Sequence, residues 1–174
     1  NMNKVILNKI LNQVPVDYYA TGVKSNILQK YWHNKKWQTM DFFLKEARGK
    51  LLDVGCADGT PTNEISKIAP GLKLTGVDLY KETIKFAKKS YPAIEFAHAD
   101  AHRLPFKSSS FDYAIAIEVL EHLEKPEVAL GEIRRVLKKN GELLVGQDTD
   151  SLLFKIVCWF WNKWKGSVWE NSHI

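Results

Sequence analysis

The chain has 174 residues, of which 45% are hydrophobic and 26% charged, and its formal net charge is +5. This length and composition predict one globular domain with a continuous core. A solvated lysine-rich surface accounts for the charge, so a nucleic-acid partner is not expected. The two cysteines, Cys56 and Cys158, exclude a disulfide framework and lack the companions that a zinc site needs, so we expect no metal.

The N-terminal segment, residues 1–24, shows no targeting pattern. Met2–Leu11 alternates apolar residues with Asn and Lys and lacks the apolar core of a signal peptide. No run in the chain reaches the roughly 18 apolar residues of a membrane span. Together with the few cysteines, this pattern predicts a cytoplasmic protein.

A long helix is predicted over Ser25–Ala47. Basic residues concentrate in the same region, Lys24–Lys50, where they alternate with Tyr31, Trp32 and Trp37. The aromatic residues recur at helical spacing, which favours a buried stripe over a nucleic-acid-binding face.

Residues 51–59 form the most informative motif of the chain. An apolar run ends in Asp53, a glycine-punctuated turn follows, and a helix is predicted over Pro61–Ala69 with Thr60 as its N-cap. Glycines in such a turn let the backbone come close to a ligand. Asp53 would repel the pyrophosphate of a dinucleotide, whereas a cationic or zwitterionic ligand tolerates a carboxylate there. S-adenosylmethionine, with an ammonium, a sulfonium and no phosphate, meets this description.

Four further strands are predicted after this motif, and they alternate with helices. They are Lys73–Asp78, Ile94–Asp100, Phe111–Glu118 and Gly141–Gln147, with the intervening helices at Lys81–Tyr91 and Pro126–Lys139. Such alternation predicts a parallel sheet with helices on both faces. Asp78 follows the glycine turn at about the 20-residue spacing of a ribose-binding carboxylate. Asp112 begins a strand instead of ending one, so we interpret it as structural.

These five blocks, in this order, resemble the class I S-adenosylmethionine-dependent methyltransferases of the group called type 11. The resemblance covers residues 20–150. It implies an α/β fold in which a doubly wound, Rossmann-like parallel sheet forms an S-adenosylmethionine-binding domain at residues 25–150. Type 11 sheets usually carry two more strands after the fifth, and the residues up to Ile174 leave no room for both, so we expect these last two strands to be missing.

The resemblance also implies the cofactor-binding residues. Asp53 and the turn would hold the methionine part of S-adenosylmethionine, Asp78 the ribose hydroxyls, and Asp100 the adenine amino group. The full set is Asp53, Gly55, Cys56, Ala57, Gly59, Asp78, Leu79, Asp100, Ala101, Glu118 and Val119. Three of these have plainer interpretations that stay open: a simple tight turn at Gly55, a helix cap at Asp78 and a loop carboxylate at Asp100.

His122 is the candidate general base, because its ordinary pKa lies near neutrality. Transfer from a sulfonium needs alignment more than proton transfer, so a base is optional and a purely structural His122 stays open. The segment Ile117–His122 lacks the Asn/Asp-Pro-Pro-aromatic turn of enzymes that methylate DNA bases or glutamine amides. No Pro-Cys pair suited to cytosine is present either. The favoured acceptor is therefore a small or lipid-like molecule.

The tail, residues 151–174, is rich in aromatic residues. An interfacial helix at a membrane surface and packing on the sheet or on a partner subunit both fit its pattern. Dimerisation or the tail would also cover the exposed edge that a missing strand leaves.

The sequence thus predicts a methyltransferase that acts by in-line methyl transfer and releases S-adenosylhomocysteine. Two alternatives remain: a non-catalytic S-adenosylmethionine-binding protein and a nicotinamide-dependent oxidoreductase. Asp53 and the absence of a full Gly-x-Gly-x-x-Gly turn disfavour the oxidoreductase.

Overall fold

The computed structural model describes residues 15–21 and 27–146. Its helices are α1 (Tyr18–Thr21), α2 (Ile27–Leu44), α3 (Thr60–Ile68), α4 (Lys81–Ser90) and α5 (Pro126–Val136), with a 3₁₀ turn at Leu120–His122. Its strands are β1 (Gly49–Val54), β2 (Leu72–Asp78), β3 (Glu95–His98), β4 (Phe111–Ile117) and β5 (Leu137–Gly146).

The strands of the described region form a single parallel sheet in the order β3-β2-β1-β4-β5. The chain first winds outward from β1 to β3 and then returns to the other side of β1, which is the doubly wound topology predicted. Strand order therefore reverses between β1 and β4. Ligands of such sheets bind beyond the carboxyl ends of the strands at this point.

Side chains alternate across β1 as the two-residue period of a strand requires. Leu52 and Val54 lie in one buried cluster with Ile133 of α5. Leu51 lies in the cluster on the opposite face, with residues of α2 and α3 that include Ile65. Helices thus cover both faces of the sheet, which confirms the predicted layering.

The amino-terminal edge of the sheet is fixed by Asp112. This carboxylate accepts hydrogen bonds from the Lys50 backbone N–H at 2.9 Å and from Lys138 Nζ at 2.7 Å. It therefore ties the beginnings of β1, β4 and β5 together, which is the structural role predicted for it.

Several predicted boundaries are wrong: β3 ends at His98, not Asp100, and α2 ends at Leu44, not Ala47. Helix α5 ends at Val136, not Lys139, because the Ser109 and Ser110 N–H groups bind the Arg135 and Val136 carbonyls at 3.0 and 2.7 Å. The following basic residues belong to β5, which pairs with β4 through a register shift. The N-cap of α3 is Gly59, and Thr60 is already helical.

Several predictions lie outside the described residues. They concern the tail at residues 151–174, any strand beyond β5, and the side chains of Tyr31 and Trp32. Within the described part of the chain, no helix is both long enough and apolar enough to cross a membrane.

Candidate functional site

The glycine turn after β1 adopts a backbone that most residues avoid. Gly55 and Gly59 have φ angles of 80° and 77°, and Ala57 between them has a φ of 47°. A Cβ atom at Gly55 would collide with the Val119 side chain, which follows β4. The Gly55 and Cys56 N–H groups donate to the Val77 carbonyl at 2.8 and 3.0 Å. The turn is thus held between the carboxyl ends of β2 and β4.

Asp53 is buried at the end of β1, with 4% of its surface exposed. Its Oδ2 accepts a hydrogen bond of 2.6 Å from the Thr62 hydroxyl on α3. Desolvation raises the pKa of the Asp53 carboxyl to about 6, although the Thr62 hydrogen bond and the Lys36 charge oppose that shift. A buried carboxylate of this kind favours a cationic ligand and disfavours a phosphate.

Asp78 is bound to the glycine turn by its own side chain. Its Oδ2 accepts from the Ala57 N–H at 2.9 Å and its Oδ1 from the Tyr80 N–H at 2.7 Å. The N-cap of α4 is Tyr80, so Asp78 is not the helix cap of the plainer interpretation. Burial raises the pKa of Asp78, while the Tyr80 and Ala57 N–H groups oppose the rise. Each oxygen retains acceptor capacity for a hydroxyl ligand.

The predicted adenine region lies next along the same sheet edge. The Ala99 N–H donates to the Asp78 carbonyl at 3.0 Å, which places the end of β3 beside that of β2. Leu79 is 41% exposed. Asp100 is exposed, and its Oδ1 lies 2.9 Å from the His102 N–H and 2.7 Å from His102 Nδ1. Ala101 packs partly buried against the core cluster of β1 and α5.

Glu118 follows β4 in a left-handed conformation, with a φ of 55°. Its Oε1 lies 2.6 Å from Lys36 Nζ, an ion pair that joins α2 to the sheet edge. His122 closes the 3₁₀ turn, where its N–H donates to the Val119 carbonyl at 3.0 Å. His122 does not line the pocket that Asp53 and Glu118 share.

That pocket lies at the reversal of strand order, between α2 and the glycine turn. Its described lining consists of Tyr19, Lys36, Trp37, Met40, Asp53, Gly55, Pro61, Ile65, Ile115, Ile117 and Glu118. Of the predicted cofactor residues, the structure brings Asp53, Gly55 and Glu118 together here. Asp78, Leu79, Asp100 and Ala101 lie outside this lining.

Cys56 and Gly59 have core positions instead of ligand-facing ones. The Cys56 side chain is fully buried with Ile84 and Phe96, and burial raises the pKa of its thiol well above the ordinary value. A Cβ atom at Gly59 would lie 2.8 Å from both Ala87 Cβ and Phe96 Cζ. Cys56 therefore offers a ligand only its backbone, and Gly59 serves the packing of α3 against α4 and β3.

Two contributors to the site were missed by the sequence analysis, one on α2 and one in the glycine turn. Lys36 is the one cation in the described lining of the pocket, and Asp58 holds the short helix α1 beside that pocket. Asp58 is 1% exposed, and its Oδ2 accepts the Tyr19 and Ala20 N–H groups at 2.9 Å each. Its Oδ1 accepts the Thr60 N–H at 2.9 Å. The only feature of the sequence that could have indicated the role of Asp58 is the presence of an acid within the glycine turn.

No group of three or more metal-ligating side chains is found among the described residues.

A family model described as a methyltransferase domain matches residues 52–145, from β1 through β5. The chain belongs to the class I S-adenosylmethionine-dependent methyltransferases. This family implies S-adenosylmethionine as the cofactor, and the buried Asp53 carboxylate at the end of β1 fits its positive charge.

Curated relatives share this domain. An O-methyltransferase, cnsE, of Penicillium expansum is 37% identical over 109 residues, which cover 59% of this chain and 39% of that protein. A demethylmenaquinone methyltransferase of Thermotoga maritima is 30% identical over 122 residues, covering 69% of this chain and 53% of that protein. The chain therefore spans about half or less of the length of these relatives.

Among solved structures, the [4+2]-cyclase SpnF is similar, with a TM-score of 0.59 and 28% identity. The match covers 64% of this chain and 44% of the cyclase. A protein with a similar fold is thus described as a cyclase and not as a methyltransferase. The reaction therefore has to be argued from the site and not from the fold.

Proposed function

We propose that this chain is the cofactor-binding part of an enzyme that transfers the methyl group of S-adenosylmethionine to a small or amphiphilic acceptor. The observation that carries the proposal is a pair of carboxylates at the strand ends, the buried Asp53 and the partly buried Asp78, on either side of the glycine turn. Desolvation raises the pKa of both groups. Perturbed acids at the ligand-binding edge of a sheet are typical of functional sites.

The residues present fit the cofactor. The Ala57 N–H donates to Asp78 at 2.9 Å, so the turn and the ribose-binding candidate form one unit. Asp53 would hold the ammonium of the methionine part, and Asp78 would accept the ribose hydroxyls in charge-assisted hydrogen bonds. Leu79, Asp100 and Ala101 continue along the edge where the adenine would lie.

The nature of the acceptor is supported by the relatives and by the pocket. Apolar side chains, among them Trp37, Met40 and Ile117, make up much of its described lining. Two relatives are named O-methyltransferase and demethylmenaquinone methyltransferase. An acceptor with a sizeable apolar part agrees with both facts.

The chemistry needs orientation above all. S-adenosylmethionine supplies a methyl group on a sulfonium, and the acceptor's nucleophilic atom bonds to that carbon as the carbon–sulfur bond breaks in line. The chain's own part is to hold the two molecules in a water-poor pocket, and orientation alone accounts for roughly 7–11 kcal/mol in favourable cases. His122 remains the candidate for removing an acceptor proton.

Calorimetric titration with S-adenosylhomocysteine tests the cofactor and its placement. We expect micromolar binding that weakens by about 2 kcal/mol, roughly 30-fold, in Asp78→Ala, because the ribose loses a charged acceptor. Asp112→Ala is the matched control, since Asp112 lies at the opposite edge of the sheet, and its affinity should stay within twofold of the wild type. Equal losses in the two variants would contradict the assigned position.

Turnover separates the proposal from its alternatives. Formation of S-adenosylhomocysteine that depends on an added acceptor would exclude a purely binding role. Titration with reduced nicotinamide dinucleotide should give no heat of binding, because Asp53 opposes a pyrophosphate at the turn. Binding of the dinucleotide, but not of S-adenosylhomocysteine, would sink the methyltransferase proposal.

A further inference from the structure

We infer that Lys36 selects the amino-acid end of the cofactor by binding its carboxylate, with Glu118 holding the lysine in place. The inference rests on the proposed function and extends it to a residue outside the segment that matches the family model, residues 52–145.

The position of Lys36 is the first argument. It lies on α2, and it lines the same pocket as Asp53 and Gly55. Its charge is close enough to Asp53 to lower the pKa of that carboxyl. A ligand group that reaches Asp53 therefore comes within the field of Lys36 as well.

Charge balance is the second argument. Among the described residues that line the pocket, the charged ones are Asp53, Glu118 and Lys36, two acids and one cation. Because the pKa of Asp53 is about 6, this acid is ionised above neutral pH. The formal charges of the three side chains then sum to one net negative charge. S-adenosylmethionine carries an ammonium, a sulfonium and a carboxylate, which sum to one net positive charge. Its carboxylate would face two acids if Lys36 were absent, and like charges at close range repel.

The setting of the ion pair is the third argument. Lys36 Nζ lies 2.6 Å from Glu118 Oε1, and the two side chains are 22% and 20% exposed. An ammonium of this burial needs an anionic partner, and Glu118 provides one in the absence of ligand. Lysine has three donors on a flexible stem, so it can bind a ligand carboxylate without leaving Glu118. Packing does not need the pair, because Met40 and Leu44 already bury α2 against the core.

The test uses two ligands that differ only in the carboxylate: S-adenosylmethionine and its decarboxylated form. Calorimetry gives the ratio of their dissociation constants for the wild type and for Lys36→Met. We expect the wild type to prefer S-adenosylmethionine and the variant to lose about tenfold or more of that preference, as removal of a charge-assisted hydrogen bond predicts. Lys36→Arg should retain most of the preference.

The ratio of the two dissociation constants is insensitive to a general loss of fold, because destabilisation weakens the binding of both ligands alike. Lys45→Met, just beyond α2, removes the same charge from an exposed position and should leave the ratio unchanged. An unchanged ratio in Lys36→Met, with S-adenosylmethionine still bound, would overturn this inference alone. Tighter binding of both ligands would also overturn it, since Lys36 would then only compete with their cations. Failure of the wild type to bind either ligand would overturn the proposed function as well.

Discussion

The pKa values of acids shift in opposite directions at the two ends of the strands. We call the side of the sheet where the parallel strands end its carboxyl edge and the side where they begin its amino edge. At the carboxyl edge, burial raises the pKa values of Asp53 and Asp78, and backbone or hydroxyl donors only partly oppose the rise. At the amino edge, Glu95 and Asp112 are paired with Lys73 and Lys138, whose hydrogen bonds lower the pKa values of these carboxyls.

The direction of the pKa shift separates acids that stabilise the fold from acids that remain available to bind a ligand. A carboxylate paired with an exposed lysine is satisfied, and such surface pairs contribute little. A buried carboxylate that lacks a cation of its own is costly and persists where a bound ligand compensates. Sequence position had already set Asp112, which begins a strand, apart from Asp53 and Asp78, which end strands, and the pKa shifts give the physical reason.

The largest effect on the free energy of unfolding is expected for Asp53→Asn, which replaces the ionisable Asp53 carboxyl with a neutral amide. The pKa of Asp53 is about 6 in the folded chain, against 3.8 ordinarily. The folded state therefore binds the proton more tightly, and this contribution to stability is complete below pH 4 and is lost as pH rises through 6. At about 1.4 kcal/mol per pKa unit, the loss is about 3 kcal/mol. Asp53→Asn should thus be more stable than the wild type at pH 7.5 by up to that amount, and similar at pH 4.

Urea unfolding between pH 4 and pH 7.5 measures this difference. Asp112→Asn is the control from the amino edge. The lowered pKa of Asp112 stabilises the fold above its ordinary pKa, so this contribution is lost only as the solution becomes more acidic. The Asp112→Asn curve should run parallel to the wild type from pH 5 to 7.5. A parallel curve for Asp53→Asn would show that Asp53 is ionised at no cost.

An intermediate effect is expected for Asp58→Ala, which tests the link between the N-terminal region and the carboxyl edge. The substitution leaves the Tyr19, Ala20 and Thr60 N–H groups without their acceptor. We expect a loss of about 2 kcal/mol in the free energy of unfolding, since buried donors and helix N-termini both depend on such acceptors.

The same variant should release α1 from the turn, which faster proteolytic cleavage at residues 18–21 would report. Asp58→Asn keeps one acceptor oxygen and should fall between Ala and the wild type. If Asp58→Ala loses stability while cleavage at residues 18–21 stays at the wild-type rate, α1 is held by other contacts.

Much of the fold could be predicted from the sequence, because its signals are local. An apolar run that ends in an acid marks β1 and β2, and the observed β2, Leu72–Asp78, differs from the prediction by one residue. The end of α5 was not predictable, since the residues that bind its last carbonyls, Ser109 and Ser110, are distant in sequence.

Three of the predicted site residues, Asp53, Gly55 and Glu118, line the pocket of the structure, and their role in binding stays a prediction. The pairing of Glu118 with Lys36 was not predicted. These two residues are 82 positions apart, and neither has a local pattern that points to the other. The buried state of Cys56 was likewise invisible, because a turn residue exposes or buries its side chain according to the packing of α4 and β3.

The smallest effect is expected for Ala57→Gly, which tests whether the carboxyl edge stores backbone strain. Ala57 has a φ of 47°, in the left-handed region that costs a residue with a Cβ atom about 1–2 kcal/mol. Glycine removes this cost but adds about 0.4–1 kcal/mol of unfolded-state entropy, so stability should rise by at most about 1.6 kcal/mol. Ser109, in the loop before β4 at the amino edge, has a φ of 57°, and Ser109→Gly is therefore the matched variant. Similar shifts in the urea midpoint of both variants would mean that a left-handed residue lowers stability equally at the two edges.

The Ala57 N–H that binds Asp78 remains in Ala57→Gly, so the affinity for S-adenosylhomocysteine should change less than twofold. A larger loss of affinity would show that the alanine methyl group, not only the backbone, orders the turn for its ligand.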